Sequence, residues 1–419
     1  MRRRTRSVIA LGTAAILAVP LAAAPASATP VDPLPRPVHD AVAEVLADVA
    51  HERRVLEAQP RTFAPEAAEP GWRATLDQTL DEAVTGPVVG VTARLETPDL
   101  DWRGSAGQRE HDRAAPARPQ DRFRAASITK PMIATLVLQE VEAGTWSLDT
   151  GVDEVLPGLL DVDVTIEELL AHRSGLPDHL LELMQSRLTD PDDFDEQWAA
   201  MGQEYTAADH VAAIRALPRE LAPDEDFLYS NAGYVVLRLM LEEATGERVD
   251  DLLEKRVFKP ARMRHTDYPQ VPGTRGPFLV GAAYTGPFGA GMYSLPQFHP
   301  SYFDAAGAVT TTTADLHAFT DALLGGRLLE PATVADMIDP RADDFYGLGI
   351  YRLPDPCVPG EYLYGHDGAG IGSLSMVLTS ADGERQLSYG LTGRDYTIAP
   401  DQMQEGAAAV LNTLAAATC

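Results

Sequence analysis

Lysine is scarce in this chain of 419 residues: among 34 Lys plus Arg, only Lys130, Lys255 and Lys259 are lysine. Arginine stays protonated under ordinary conditions, whereas lysine can be pushed to its neutral form and then accept a proton. A lysine kept among so many arginines therefore marks a position to test for chemistry. Positive charge as a whole is also short, since 62 acidic residues give a formal charge of -28. That balance makes nucleic acid and anionic membrane surfaces poor partners. Cysteine occurs only at Cys357 and Cys419, and no His, Cys or carboxylate cluster shows metal-ligand spacing. Neither a metal nor another cofactor is implied. After residue 30 no apolar run is long enough to span a bilayer.

What is present at the start is a basic cluster (Arg2, Arg3, Arg4, Arg6), an apolar run broken by Pro20, and small residues Ala26, Ser27 and Ala28. The segment reads as a secretory signal over residues 1–28, cleaved after Ala28, which places the mature protein outside the cell with no membrane attachment. Cleavage removes four arginines and no acids, leaving 30 basic against 62 acidic residues, a charge of -32. In that oxidising compartment Cys357 and Cys419 are expected to form one disulfide tying down the C-terminus. Residues 29–70 form a Pro/Ala-rich extension in which Val38, Val42, Val45, Leu46 and Val49 recur at helical spacing.

From Gly71 onward the pattern tightens. A helix in "WRATLDQTLDEAV" precedes two strand-like runs, "PVVGVTARLE" and "DWRGSAGQRE". The middle is helix-rich, as in "PMIATLVLQEVEAG", "TIEELLAH", "YVVLRLMLEEATG" and "VDDLLEKRVF". Near the end "SLSMVLTSADGERQLSYGL" reads as a hairpin around Asp382-Gly383, and "PDQMQEGAAAVLNTLAAA" as a closing helix. Strands at both ends around a helical middle predict an α/β domain over 71–419. Its sheet parts fall at about 71–126 and 301–419, and its helical part at about 127–300.

Three short stretches carry candidate chemistry. In "RAASITKPM", Ser127 and Lys130 are three apart, one helical turn, so a neutral lysine would stand beside the serine hydroxyl and take its proton. In "FLYSNAGYVV", Tyr229 and Asn231 precede a helix, where a tyrosine near a positive charge can relay protons and an asparagine can orient a lysine. The same stretch read alone is a turn with Asn231 as helix cap. In "YGHDGAGIGSLSMVL" the glycines precede a strand, which excludes a dinucleotide loop. His366, Asp367 and Gly368 read instead as the lip of an edge strand, with Gly368 allowing close approach of a substrate and the Ala369 amide free to donate.

Ser-x-x-Lys, Tyr-x-Asn and His-x-Gly in this order resemble the penicillin-recognising serine hydrolases: DD-carboxypeptidases, class C β-lactamases and their esterase and peptidase relatives. "DRFRAASITK", "TIEELLAHRSGLPD", "AAGAVTTTTADLHAF" and "YGLGIY" add to the likeness, which covers about 71–419. The resemblance implies an antiparallel sheet flanked by helices, with an inserted all-helical domain and the site between them. It implies Ser127 as the acylated nucleophile, Lys130 as its activating partner and Tyr229 as proton carrier toward the leaving group. Asn231 would hold Lys130 and a substrate amide, and His366 would support the proton network. The amides of Ser127 and Ala369 would form the oxyanion hole.

Two departures bear on the substrate. Many relatives have lysine where this chain has His366, and threonine where it has Asp367, a carboxylate that would repel a substrate carboxylate. Arg352 is the nearest candidate to anchor such a group. The leading expectation is an exported D-alanyl-D-alanine carboxypeptidase-like enzyme acting on a small-molecule or peptide acyl donor such as a cell-wall peptide or β-lactam. An esterase or weak β-lactamase of the same fold is one alternative. A non-turnover β-lactam receptor is another.

Overall fold

The computed structural model describes residues 71–419 except 85, 191–193, 221–226, 274, 285–290, 296–297, 342–343, 396–413, 415–416 and 418. The signal segment, the 29–70 extension and most of the closing helix lie outside the described residues.

Eleven strands are described: β1 (Gly90–Thr97), β2 (Leu100–Gly107), β3 (Phe123–Arg124), β4 (Ala282–Tyr284), β5 (Met292–Ser294), β6 (Thr310–Thr311), β7 (Tyr351–Pro354), β8 (Tyr362–Gly370), β9 (Ser373–Ser380), β10 (Gln386–Thr392) and β11 (Arg394–Asp395). Six of them form one antiparallel sheet in the order β2-β1-β10-β9-β8-β7. The hairpin expected around Asp382-Gly383 is there as β9 with β10, and the two strand-like runs before it in the chain pair as β1 with β2. Gly383 at the second turn has φ 76, which glycine takes without a Cβ penalty.

Alternation divides the sheet into two working faces. Val91, Ala93, Leu95, Leu378, Leu387, Tyr389 and Leu391 pack with Leu76 and Leu80 of helix Trp72–Ala83. The other face is built of small residues opposite the helical core. A Cβ on Gly390 would stand 2.4 Å from the Phe123 ring, so β3, which leads into the turn that carries Ser127, can lie directly on the sheet. Helix Thr129–Glu142 sits in the centre of the larger core, buried on nearly every side. The middle of the chain is not purely helical. β4 and β5 make a small sheet with β11, and β3 pairs with β6. Helices Thr313–Leu324 and Pro331–Ile338 fall in the stretch read as sheet.

Cys357 and Cys419 are bridged, with Cα atoms 5.0 Å apart and a sequence separation of 62. Leu414 and Ala417, just before the bridge, are buried in the cluster behind the sheet. Thiol titration of denatured, unreduced protein is expected to find no free thiol, and replacing both cysteines by alanine to lower stability by roughly 2–4 kcal/mol. Two titratable thiols in that assay would refute the bridge.

Candidate active site

The nucleophile turn is held before it does anything chemical. Ala125 N–H donates to Val309 O at 2.9 Å. Ala126 then takes φ 46, a left-handed conformation that costs an alanine roughly 1–2 kcal/mol. Such strain persists where the surroundings over-determine it. Here β8 does so: a Cβ on Gly368 would stand 2.1 Å from Ala125 O and 2.4 Å from Ser375 Oγ. Glycine at 368 is thus required by the protein's own nucleophile turn, where the sequence reading assigned it to substrate approach. The 3-10 turn Ala126–Ile128 runs straight into helix Thr129–Glu142, which sets Ser127 and Lys130 on one side.

Lys130 Nζ lies 3.1 Å from Ser127 Oγ and donates to Asn231 Oδ1 and Ala306 O, each at 2.9 Å. The side chain is fully buried, and burial draws its pKa down to about 7 while the charges of Asp178 and Asp367 pull the other way. Near neutral pH a substantial fraction is therefore the neutral amine, which can accept the Ser127 proton. The sign follows: kcat/KM for an activated ester is expected to rise through an apparent pKa near 7 and to be lost below it. A profile flat across pH 6–8 would remove Lys130 as the base.

Each group that holds Lys130 is itself held. Ser230, not Asn231, caps helix Asn231–Thr245, accepting from Ala232 N at 3.2 Å. The Asn231 amide can then turn to Lys130 and donate through Nδ2 to Asp178 Oδ2 at 2.8 Å. Ala306 ends the turn Asp304–Ala306, where the Asp304 carboxylate accepts from Tyr268 Oη at 2.6 Å and is ion-paired with Arg238, Nε to Oδ1 2.9 Å.

Tyr229 presents its ring to Lys130 Nζ, 4.8 Å from the centroid, and its hydroxyl lies near the Ser127 side chain. Burial pushes this phenol well above its usual value, so it stays protonated and acts as a donor. His172 was not singled out from sequence, yet its ring centroid is 4.1 Å from that of Tyr229, and its Nδ1 accepts from Ser230 N at 3.1 Å. The only sequence signal was its place in the stretch "TIEELLAHRSGLPD", which also contains Asp178.

His366 stands one layer back, its ring 6.5 Å from that of Tyr229. Its Nδ1 donates to Asp367 O at 2.6 Å, which leaves Nε2 to accept from Tyr346 Oη at 3.0 Å. Burial, with Lys130 nearby, lowers its pKa to about 3, so the ring is neutral. Ala369 follows Gly368 on β8, opposite Leu374 of β9.

Two of the expected substrate contacts are corrected. Asp367 is 2% exposed, and strand alternation sends it to the other side of β8 from His366 and Gly368, in a row with Met376 and Tyr389. Its carboxylate faces the Tyr351 hydroxyl rather than the groove. Arg352 has protein partners of its own. Its guanidinium lies 4.0 Å over the Tyr362 ring, and its Nε donates to Asp344 O at 3.2 Å. The arrangement as a whole sets a hydroxyl, a tunable amine and a protonated phenol in mutual contact, which is the equipment for acyl transfer without a cofactor.

The family model "Beta-lactamase" matches residues 72–408. The chain is 30% identical to "Penicillin-binding protein 4" of Amycolatopsis lactamdurans over 61% of this chain and 68% of that protein. It is 29% identical to the esterase EstB of Burkholderia gladioli over 66% of this chain and 76% of that one. A solved D-stereospecific amidohydrolase from Streptomyces sp. superposes with TM-score 0.69 at 25% identity, covering 81% of this chain and 97% of that one.

Proposed function

The chain belongs to the Beta-lactamase family of serine hydrolases that act through an acyl-enzyme, and from that premise we propose an exported hydrolase of amides or esters whose leaving group carries no free carboxylate. Ser127 attacks the carbonyl as Lys130 takes its proton, and the amides of Ser127 and Ala369 receive the oxyanion. Tyr229 then protonates the leaving group. Lys130 returns its proton to Tyr229, and the neutral amine then takes a proton from the water that releases the acyl group and hands it back to Ser127.

The observation that carries the substrate reading is Arg352, held over Tyr362 and bonded to Asp344 O. With that guanidinium occupied, a terminal carboxylate on the leaving group has lost its expected counter-ion. The likeness to a D-stereospecific amidohydrolase agrees with an amide of a D-amino acid as donor. A D-alanyl-D-alanine carboxypeptidase-like activity on peptidoglycan-type peptides is the second reading, supported by the penicillin-binding relative.

The two are separated by kcat/KM for a D-amino acid amide or ester against a matched acyl-D-Ala-D-Ala peptide. The amide or ester is expected to win by roughly tenfold or more, the worth of one charge-assisted contact. Asp367→Thr should leave the ratio unchanged, because the side chain is sealed from the groove. A clear preference for the peptide acid selects the carboxypeptidase instead. Turnover that stops after one equivalent would make the protein a receptor.

A further inference from the structure

Arg124 lies three residues before Ser127, at the end of β3, and is 8% exposed. Its guanidinium carbon stands 5.0 Å from the Phe298 centroid and 5.8 Å from that of Phe278. Three other buried or half-buried arginines have carboxylate partners: Arg109 with Asp121, Arg238 with Asp304, Arg385 with Asp355. Arg124 has none among the described residues, and its Nη2 has no hydrogen-bond partner there. Burial alone acts on it, lowering its pKa to about 10, so it remains a cation at neutral pH.

The missing partner is not explained by a shortage of acids. The chain has 62 of them, yet residues 269–303, which hold both rings, contain no Asp or Glu. A desolvated cation without a counter-ion is costly, and stacking on two phenylalanines returns only part of that cost. Among the described residues no carboxylate supplies the counter-charge, which leaves a place for one carried by a ligand.

Position tells which part of a substrate would bring it. At the start of the open stretch of β8, His366 and Tyr346 back Tyr229, the donor to the leaving group. At the far end Gly370 O accepts from Arg394 Nη1 at 3.1 Å, and Ile371 packs with Ala283, Phe298 and Phe303. Arg124 stacks on that same Phe298, so it stands on the side away from the leaving group, where the acyl portion lies.

We propose that Arg124 is the recognition residue for a carboxylate on the acyl portion of the substrate, which makes the preferred donor acidic on its acyl side and neutral on its leaving side. This rests on the acylation of Ser127 put forward above and adds a substrate class to it.

The probes are p-nitrophenyl hydrogen glutarate and p-nitrophenyl pentanoate, similar in length and differing in the far carboxylate. The unmodified enzyme is expected to favour the glutarate by roughly tenfold or more in kcat/KM, the size of a charge-assisted hydrogen bond. Arg124→Gln should bring the ratio close to one, and Arg124→Lys should keep part of it. A second measurement needs no variant: free glutarate should protect Ser127 of the unmodified enzyme from a fluorophosphonate, and pentanoate should not. A ratio near one in the unmodified enzyme, an unchanged ratio in Arg124→Gln, or equal protection by both acids overturns the assignment. Failure of the fluorophosphonate to label Ser127 at all would overturn this and the hydrolase reading together, whereas labelling without a carboxylate effect overturns this one alone.

Discussion

Lys130→Arg should abolish turnover almost as completely as Ser127→Ala, a loss of roughly a thousandfold or more in kcat/KM, although the substitution keeps the positive charge. The argument is one of protons rather than charge. Lys130 touches Ser127 Oγ at 3.1 Å and is drawn by burial to about 7, so it alternates between ammonium and amine in the working range. A guanidinium at the same place stays protonated and has no lone pair to offer. It is also larger than the space bounded by Asn231 Oδ1 and Ala306 O, both at 2.9 Å from Nζ. Two measurements separate these causes. Folding is read from the thermal transition, and acylation from mass spectrometry of Ser127 after a fluorophosphonate. A folded Lys130→Arg protein that still hydrolyses an activated ester at near the original rate would show that Lys130 is not the base.

The parts of the site legible in the sequence are those joined by short spacing. Ser127 and Lys130 share one helical turn, and Tyr229 and Asn231 flank the Ser230 cap, so chemistry and local geometry coincide. The supports were harder to see because they come from far along the chain. Asp178, His172, Tyr346 and Asp304 reach the site only through folding, and apart from the stretch that holds His172 and Asp178 nothing in their own neighbourhoods distinguishes them from caps and core aromatics. Asp367 and Arg352 were misplaced for a different reason. Which way a residue of an edge strand faces depends on register, and β8 pairs on both sides only at its start, where β7 lies beside it. The Tyr362 ring that captures Arg352 is likewise a feature of pairing and not of spacing. In the fold, the long hairpins and helices were readable from periodicity and turn residues. The two- and three-residue strands β3, β4, β5, β6 and β11 were not, since pieces that short carry no period.

Tyr229→Phe is expected to divide substrates by their leaving groups, and this makes it the sharper test of the proton route. The phenol is half-buried, and desolvation raises its pKa well above its usual value, so at neutral pH Tyr229 holds a proton it can give and is not itself a base. An amide needs that proton, because an amine leaves poorly as an anion; losing a placed general acid costs roughly 10²–10⁴-fold. A p-nitrophenyl ester needs it far less, since p-nitrophenolate leaves unassisted. The variant should therefore lose at least about a hundredfold in kcat on a D-amino acid amide while losing under about tenfold in the acylation burst with the ester. Lys130→Arg, by contrast, should damage both alike, because the hydroxyl of Ser127 must be deprotonated whatever departs. The packing of the ring on His172, 4.1 Å between centroids, is kept by phenylalanine, so the comparison isolates the hydroxyl. Equal losses on amide and ester in Tyr229→Phe would move the hydroxyl from leaving-group donor to activation of Ser127, and the amine of Lys130 would then have to carry the proton to the leaving group itself.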